Sequence, residues 1–188
     1  MEENHSRSSR ANISGEVIHM ANIIRLRPGD TEYLRMSNRL TDVFINVLVL
    51  SGSRAARTID EKRLIVWLAE RDQSRVGSGT VGFDLSDMPW NKQTFAENRT
   101  FLLNVIAAAR NRTGWEALEY KPNEEMLFPC LDRFAALVSR MEVADVAADS
   151  LEKWLESASE SDPATRDFPL CPRHHALLTE FGCQICNN

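Results

Sequence analysis

The most strongly patterned part of this chain is residues 40–50, which read LTDVFINVLVL. Its apolar side chains recur at three- and four-residue spacing, the period of an amphipathic α-helix. Asp30 or Thr31 can cap such a helix, and Glu32 would then lie in the first turn, where the helix dipole favours an acid. The pattern therefore predicts a helix that begins near residue 31 and ends at Gly52.

Four further helices are predicted from capping residues and apolar periodicity. Thr58 and Glu61 form a capping-box pattern that opens the second helix, and the third runs from about 91 to 112. Asn123 caps the fourth, in which Pro129 either kinks the helix or restarts it. The fifth is the most amphipathic, with an apolar face of Val143, Val146, Ala147, Leu151, Trp154, Leu155 and Ala158. The expected fold is mainly α, a bundle-like domain of about five helices with little β.

Composition divides the 188 residues into three parts. Residues 1–14 are polar and aperiodic, which predicts a flexible N-terminal tail. Residues 15–167 form the helical domain, and its first segment, residues 16–27, is expected to be a short strand or an extended arm. Residues 168–188 form a C-terminal zinc-binding element, which Phe168, Leu170 and Phe181 are expected to pack against the helices.

The C-terminal element carries the strongest chemical motif in the sequence. Cys171-x2-His174 is followed, after eight residues, by Cys183-x2-Cys186. Two ligands three positions apart can converge on one tight turn, and two such turns facing each other form the tetrahedral shell that zinc prefers. Three thiolates and an imidazole suit this borderline-soft ion. We predict one structural Zn²⁺ in a small hairpin, with His175 as the alternative to His174.

Residues 171–186 resemble the broad class of short zinc-knuckle elements, and this resemblance implies no particular function. Four protein ligands would fill the zinc shell and leave no position for a catalytic water, so the ion is expected to be structural. The fourth cysteine, Cys130, lies far away in the sequence and is expected to be a core thiol.

No other motif in the sequence supports an enzyme. Residues 77–82, GSGTVG, match the dinucleotide-binding fingerprint, but a predicted helix precedes them and no helix opens within them. We therefore expect neither catalytic nor cofactor-binding residues. A site assembled from the loop between Asp84 and Trp90 is the alternative that the sequence leaves open. Trp90 and Trp115 lie in loops, where each either covers the core or anchors a partner.

The net charge of −5 is concentrated in one segment. Residues 141–170 hold eight carboxylates against Lys153 and Arg166, a net charge of −6. Such a surface repels a phosphate backbone, which argues against nucleic acid as the partner. No apolar run reaches the eighteen or so residues that span a bilayer, and no signal-peptide pattern is present.

These observations lead to one expected function and one alternative. We expect a cytoplasmic, non-enzymatic protein that binds another protein, as an adaptor or as an immunity or antitoxin-like protein whose acidic helix covers a basic partner. The alternative is a nucleic-acid-associated, zinc-containing regulator, because zinc knuckles often serve in that role. The sequence sets neither the partner nor the oligomeric state.

Overall fold

A computed structural model describes residues 21–73, 79–157 and 167–187 of the chain. Within these ranges the protein is mostly helical, as predicted. Its helices are α1 (Asn38–Ala55), α2 (Ile59–Ala69), α3 (Phe95–Arg110), α4 (Glu124–Arg140), α5 (Ser150–Ser157) and α6 (Gln184–Asn187). The N-terminal tail predicted for residues 1–14 lies outside the described residues.

The strands form two small sheets. They are β1 (Ala21–Arg25), β2 (Tyr33–Ser37), β3 (Asp72–Gln73), β4 (Gly79–Thr80) and β5 (Phe83–Asp84). The larger sheet has the order β2-β1-β5, with β1 antiparallel to β2 and parallel to β5, while β3 pairs with β4 alone. Of the two forms expected for residues 16–27, a short strand or an extended arm, the strand is present as β1, and residues 16–20 lie outside the described residues.

The predicted start of the first helix near residue 31 is wrong. Residues 33–37 form β2, whose side chains alternate between exposed and buried, with Leu34 and Met36 in the core. The helix begins only at Asn38, and the hydroxyl of Ser37 caps it by accepting the N–H of Leu40. The two buried residues are two positions apart, which is strand spacing, but five residues are too few for this alternation to outweigh the helical pattern that follows. Pairing with β1 establishes the strand.

The fifth helix is shorter than predicted. Residues 143–145 form a single 3-10 turn, and α5 covers only Ser150–Ser157. Glu142 and Asp145 cap this turn reciprocally, and Asp145 also forms an ion pair with Arg27 at 3.0 Å. These local carboxylate contacts hold the turn in place of a continuous helix. Of the predicted apolar face, Val146 and Trp154 are buried, whereas Val143 and Leu155 are exposed.

The predicted end of the first helix at Gly52 is also wrong, because α1 continues to Ala55. A Cβ at Gly52 would lie 2.2 Å from the side chain of Ile65 in α2, so this glycine serves helix packing and not a helix stop.

The predicted capping signals of the next helices agree with the structure. The capping box of Thr58 and Glu61 is formed at the start of α2, and Asn123 caps α4 by accepting the N–H of Met126. Pro129 lies inside α4 and neither ends nor restarts it. A 3-10 turn, Lys92–Thr94, precedes α3.

The core is centred on α1, which packs against α2, α3 and α4. Four aromatic rings connect these helices to the sheet. Phe44 meets Phe134 edge-to-face at 5.2 Å, Phe134 meets Phe83 at 6.3 Å, and Phe83 meets Trp67 at 5.2 Å between ring centroids. Such edge-to-face pairs add to the free energy already gained by burying the rings. One face of α1 is then left for the C-terminal segment.

Candidate metal centre

The C-terminal segment folds as two turns that face each other. Cys171 begins the first turn, and its carbonyl accepts the N–H of His175 at 2.9 Å. An antiparallel bridge joins Leu170 to Leu177 on either side of this turn. The chain then reverses over residues 179–182, where Gly182 has a φ of +90°, a conformation that glycine adopts without strain. Cys183 follows this reversal, and Cys186 lies in α6.

These turns bring four ligand atoms together. The Nδ1 atom of His174 lies 3.8, 3.5 and 3.3 Å from the Sγ atoms of Cys171, Cys183 and Cys186, and the Sγ atoms of Cys171 and Cys186 are 3.8 Å apart. All four atoms lie within 4.8 Å of one another. A tetrahedral zinc site has S···S and S···N separations of about 3.8 and 3.5 Å, from its bond lengths of about 2.3 and 2.0–2.1 Å. The cluster could therefore hold a metal ion.

The structure separates the two adjacent histidines. His174 is buried and lies in the cluster, whereas His175 is exposed, has a φ of +54° and lies outside the cluster. The predicted ligand set of Cys171, His174, Cys183 and Cys186 is thus the set whose ligand atoms converge. Its members are buried except for Cys186, which is exposed.

Burial and neighbouring groups alter the acidity of three of these side chains. Burial raises the pKa of the Cys183 thiol to about 12, and the adjacent Cys171 adds to this rise. Burial also acts to raise the pKa of Cys171, but hydrogen bonds from the backbone of His174 and Arg173 outweigh it and bring that pKa below its usual value. Burial, followed by the charge of Arg173, lowers the pKa of His174. The imidazole is therefore held in the neutral form that binds metals.

The segment docks on α1 through polar side chains that sequence reasoning did not identify as functional. The N–H of Leu177 donates to the hydroxyl of Ser53 at 2.9 Å, and the amide of Gln184 donates to Asn46 Oδ1 at 2.6 Å. Asn46 in turn donates to the hydroxyl of Tyr120 at 3.2 Å. Asn46 and Ser53 are seven positions apart, and so lie on one face of α1. The available signal was Asn46, the one polar residue within the apolar run of residues 43–50.

Apolar contacts accompany these hydrogen bonds. Ala176, Leu177 and Ile185 are buried in the core cluster. Of the three residues expected to pack the segment against the helices, Phe168 is buried, Phe181 is half-buried and Leu170 is 49% exposed. The expectation for Leu170 is therefore wrong, and Leu177, which is 3% exposed, contributes the buried leucine of this segment instead.

Asn46→Ala is expected to loosen the metal centre as well as the fold. The substitution removes the hydrogen bonds to both Gln184 and Tyr120, at a cost of about 2 kcal/mol in unfolding free energy. Zinc-loaded protein carrying it should lose metal to a competing chelator faster than the wild type. The matched control is Ser51→Ala, which removes a buried hydroxyl of α1 that donates to Thr113 O at 2.8 Å, away from the metal segment. Equal rates of metal loss in the two variants would contradict the prediction.

The loop considered as an alternative site, Asp84 to Trp90, makes contacts that stabilise the fold. Asp84 forms an ion pair with Arg25 at 2.6 Å. Trp90 is 1% exposed, and its indole N–H donates to Leu85 O at 2.7 Å. Trp115 is also buried. The last glycine of the GSGTVG segment, Gly82, lies directly against the backbone of β1. This contact leaves no room for a side chain, so packing accounts for the glycine and nucleotide binding is not needed to explain it. Residues 74–78 lie outside the described residues.

Cys130 lies apart from the cluster. Its thiol is buried in α4, and it donates to Met126 O at 3.3 Å. Burial raises the pKa of this thiol, so it stays neutral and protonated. These contacts are those of a structural thiol.

Comparison with protein families, with characterised proteins and with solved structures finds no match to this chain. Among the described residues, no helix combines the length and the apolar character needed to cross a bilayer. The fold and the cluster together define a mostly helical protein with a C-terminal Cys/His group suited to a metal ion.

Proposed function

We propose that Cys171, His174, Cys183 and Cys186 bind one structural zinc ion. The observation that carries this proposal is the convergence of three sulfur atoms and one imidazole nitrogen within 4.8 Å. Thiolate-rich tetrahedral sets select zinc over the harder cations that prefer oxygen. The four side chains complete the shell, and Glu180, the one acid within the motif, is exposed on the reversing turn. With four protein ligands, the ion would have no open position for a catalytic water.

Zinc content tests this assignment directly. Protein purified without chelator is expected to contain about one zinc per chain, and Cys183→Ser is expected to contain almost none, because losing a thiolate opens the shell. Cys130→Ser is the matched control, since it removes a buried thiol outside the cluster and should keep its zinc. Stoichiometric zinc in Cys183→Ser would overturn the assignment.

We further propose that the protein acts by binding a basic protein through its acidic segment, residues 142–157. Glu142, Glu152 and Glu156 are exposed there. Val143 and Leu155 are 47% and 40% exposed beside them. Carboxylates surrounding exposed apolar side chains suit an interface in which charge steers a basic partner and the apolar groups stabilise the complex. An adaptor and an immunity or antitoxin-like protein would both use such a surface.

The salt dependence of binding tests this second proposal. A basic protein captured from the native host is expected to bind at low salt and to dissociate as the salt concentration rises. The double variant Glu152→Gln/Glu156→Gln should weaken this binding, whereas the control Glu97→Gln/Glu125→Gln changes two exposed carboxylates on other helices and should not. If the test variant and the control variant both shifted a nucleic acid in a gel at low salt, the result would instead favour the alternative, a nucleic-acid-associated regulator.

A further inference from the structure

A second region of the molecule, which none of the four metal ligands lines, forms a cleft of about 420 Å³. The cleft lies between the end of α2, the turn at Asp87 and the start of α5, and the indoles of Trp67 and Trp154 are among its walls. Small-molecule sites usually enclose about 300–1,000 Å³ and combine apolar walls with a few polar groups. The cleft thus has the volume of a small-ligand site, with mostly polar lining residues and the two indoles as its apolar wall.

One wall of the cleft carries a fixed guanidinium group, that of Arg71. The side chain is only 21% exposed, its charge lies 4.1 Å above the ring of Trp67, and its Nε donates to Trp67 O at 3.2 Å. Its nearest described carboxylate, Glu70, is 3.9 Å away and accepts the indole N–H of Trp154 at 2.9 Å. The terminal amino groups of Arg71 therefore lack a bidentate partner among the described residues, although an arginine fork is shaped for one.

Two further groups of the cleft lack a matching partner in the described part of the chain. Asp87 is exposed and forms no ion pair there; its one short contact is with the hydroxyl of Ser86 at 3.4 Å. The hydroxyl of Ser150 is buried, with 6% of the residue exposed, and has no hydrogen-bond partner. By contrast, Asp149 is paired with Lys153 at 3.1 Å. One guanidinium, one carboxylate and one hydroxyl therefore remain to be satisfied.

We propose that this cleft binds a small zwitterion of the α-amino acid class, with its carboxylate on Arg71 and its ammonium group on Asp87. Asp87 lies close enough for its charge to act on the Arg71 guanidinium, so a small zwitterion can place one of its charged groups on each of them. The hydroxyl of Ser150 supplies a neutral hydrogen bond, and the two indoles provide an apolar wall for the ligand's side chain. The cleft shares α5 with the acidic segment, but Glu142, Glu152 and Glu156 are not among its lining residues, and neither are the four metal ligands. Failure of ligand binding is therefore distinguishable from failure of the metal site or of partner binding.

Ligand chemistry provides the first part of the test. The full-length protein is titrated with the common L-amino acids, and binding is followed by calorimetry and by the fluorescence of Trp67 and Trp154. At least one amino acid is expected to bind at millimolar or lower concentration. Its methyl ester, which lacks the carboxylate, and its N-acetyl derivative, which lacks the ammonium charge, should each bind about tenfold more weakly or worse. Absence of binding by every amino acid, or equal binding of these derivatives, would overturn the proposal.

Substitutions provide the second part. Arg71→Gln and Asp87→Asn should each weaken binding by about tenfold or more, because each removes one charged hydrogen-bonding partner. Arg110→Gln is the control, since this exposed arginine pairs with Asp132 away from the cleft and should bind like the wild type. If Arg71→Gln fails to fold, Asp87→Asn alone decides, because Asp87 lies in an exposed turn. Unchanged affinity in Asp87→Asn would show that the ammonium group does not bind there and would overturn the proposal.

Discussion

Removing the metal with a strong chelator is expected to unfold residues 168–187 while most of the helical signal persists. Structural zinc contributes about 10–16 kcal/mol of apparent binding free energy in small zinc-dependent peptides. The hydrogen bonds from Leu177 to Ser53 and from Gln184 to Asn46 contribute only about 1 kcal/mol each. The helices α1 to α4, in contrast, pack directly against one another and do not depend on the metal segment for that packing.

Far-ultraviolet circular dichroism, with metal loss confirmed by elemental analysis, measures this response. A small loss of helical signal and a lower melting temperature are expected, since only the four-residue α6 and the contacts of Ala176, Leu177 and Ile185 are affected. Cys183→Ser provides the control, because chelator should cause no further change in a variant that binds no metal. Collapse of most of the helical signal would show that the metal segment is integral to the core, and that the predicted boundary near residue 168 is wrong.

Gly82→Ala is expected to destabilise the protein by about 3 kcal/mol, the upper part of the range for overpacking a close contact. A Cβ atom at this position would lie 2.3 Å from Ile23 O and 2.6 Å from Ile23 N. Both are backbone atoms of β1, which is held between β2 and β5, so neither can move without disturbing the sheet. The added methyl group therefore forces β5 away from its parallel neighbour.

Chemical denaturation of wild type and variant measures this loss. The matched control is Gly29→Ala, which makes the same chemical change where a Cβ would have nothing within 4 Å. Gly29 has a φ of +85°, so its substitution should cost only the local strain of about 1–2 kcal/mol for a non-glycine residue in this conformation. A loss no larger for Gly82→Ala than for Gly29→Ala would indicate that β5 can be displaced at little cost.

Features encoded over a few neighbouring residues could be predicted from the amino-acid sequence. The capping box of Thr58 and Glu61 needs two side chains three positions apart, and both residue types can be read directly from the sequence. The Cys/His cluster is also local, because its ligands all lie within residues 171–186 and spacing alone indicates that each pair can share a turn. The same local rules predicted the mostly helical fold, since amphipathic spacing repeats along each helix.

Contacts between distant segments required the folded structure. Residues 33–37 form a strand because β1 is available to pair with them, and their alternation is too short to establish a strand by itself. The contact that docks Gln184 on Asn46 joins residues 138 positions apart. The cleft around Arg71 likewise combines α2, the turn at Asp87 and α5. In each case the free energy comes from pairing or burial between segments, so it depends on which segments meet and cannot be read from either segment alone.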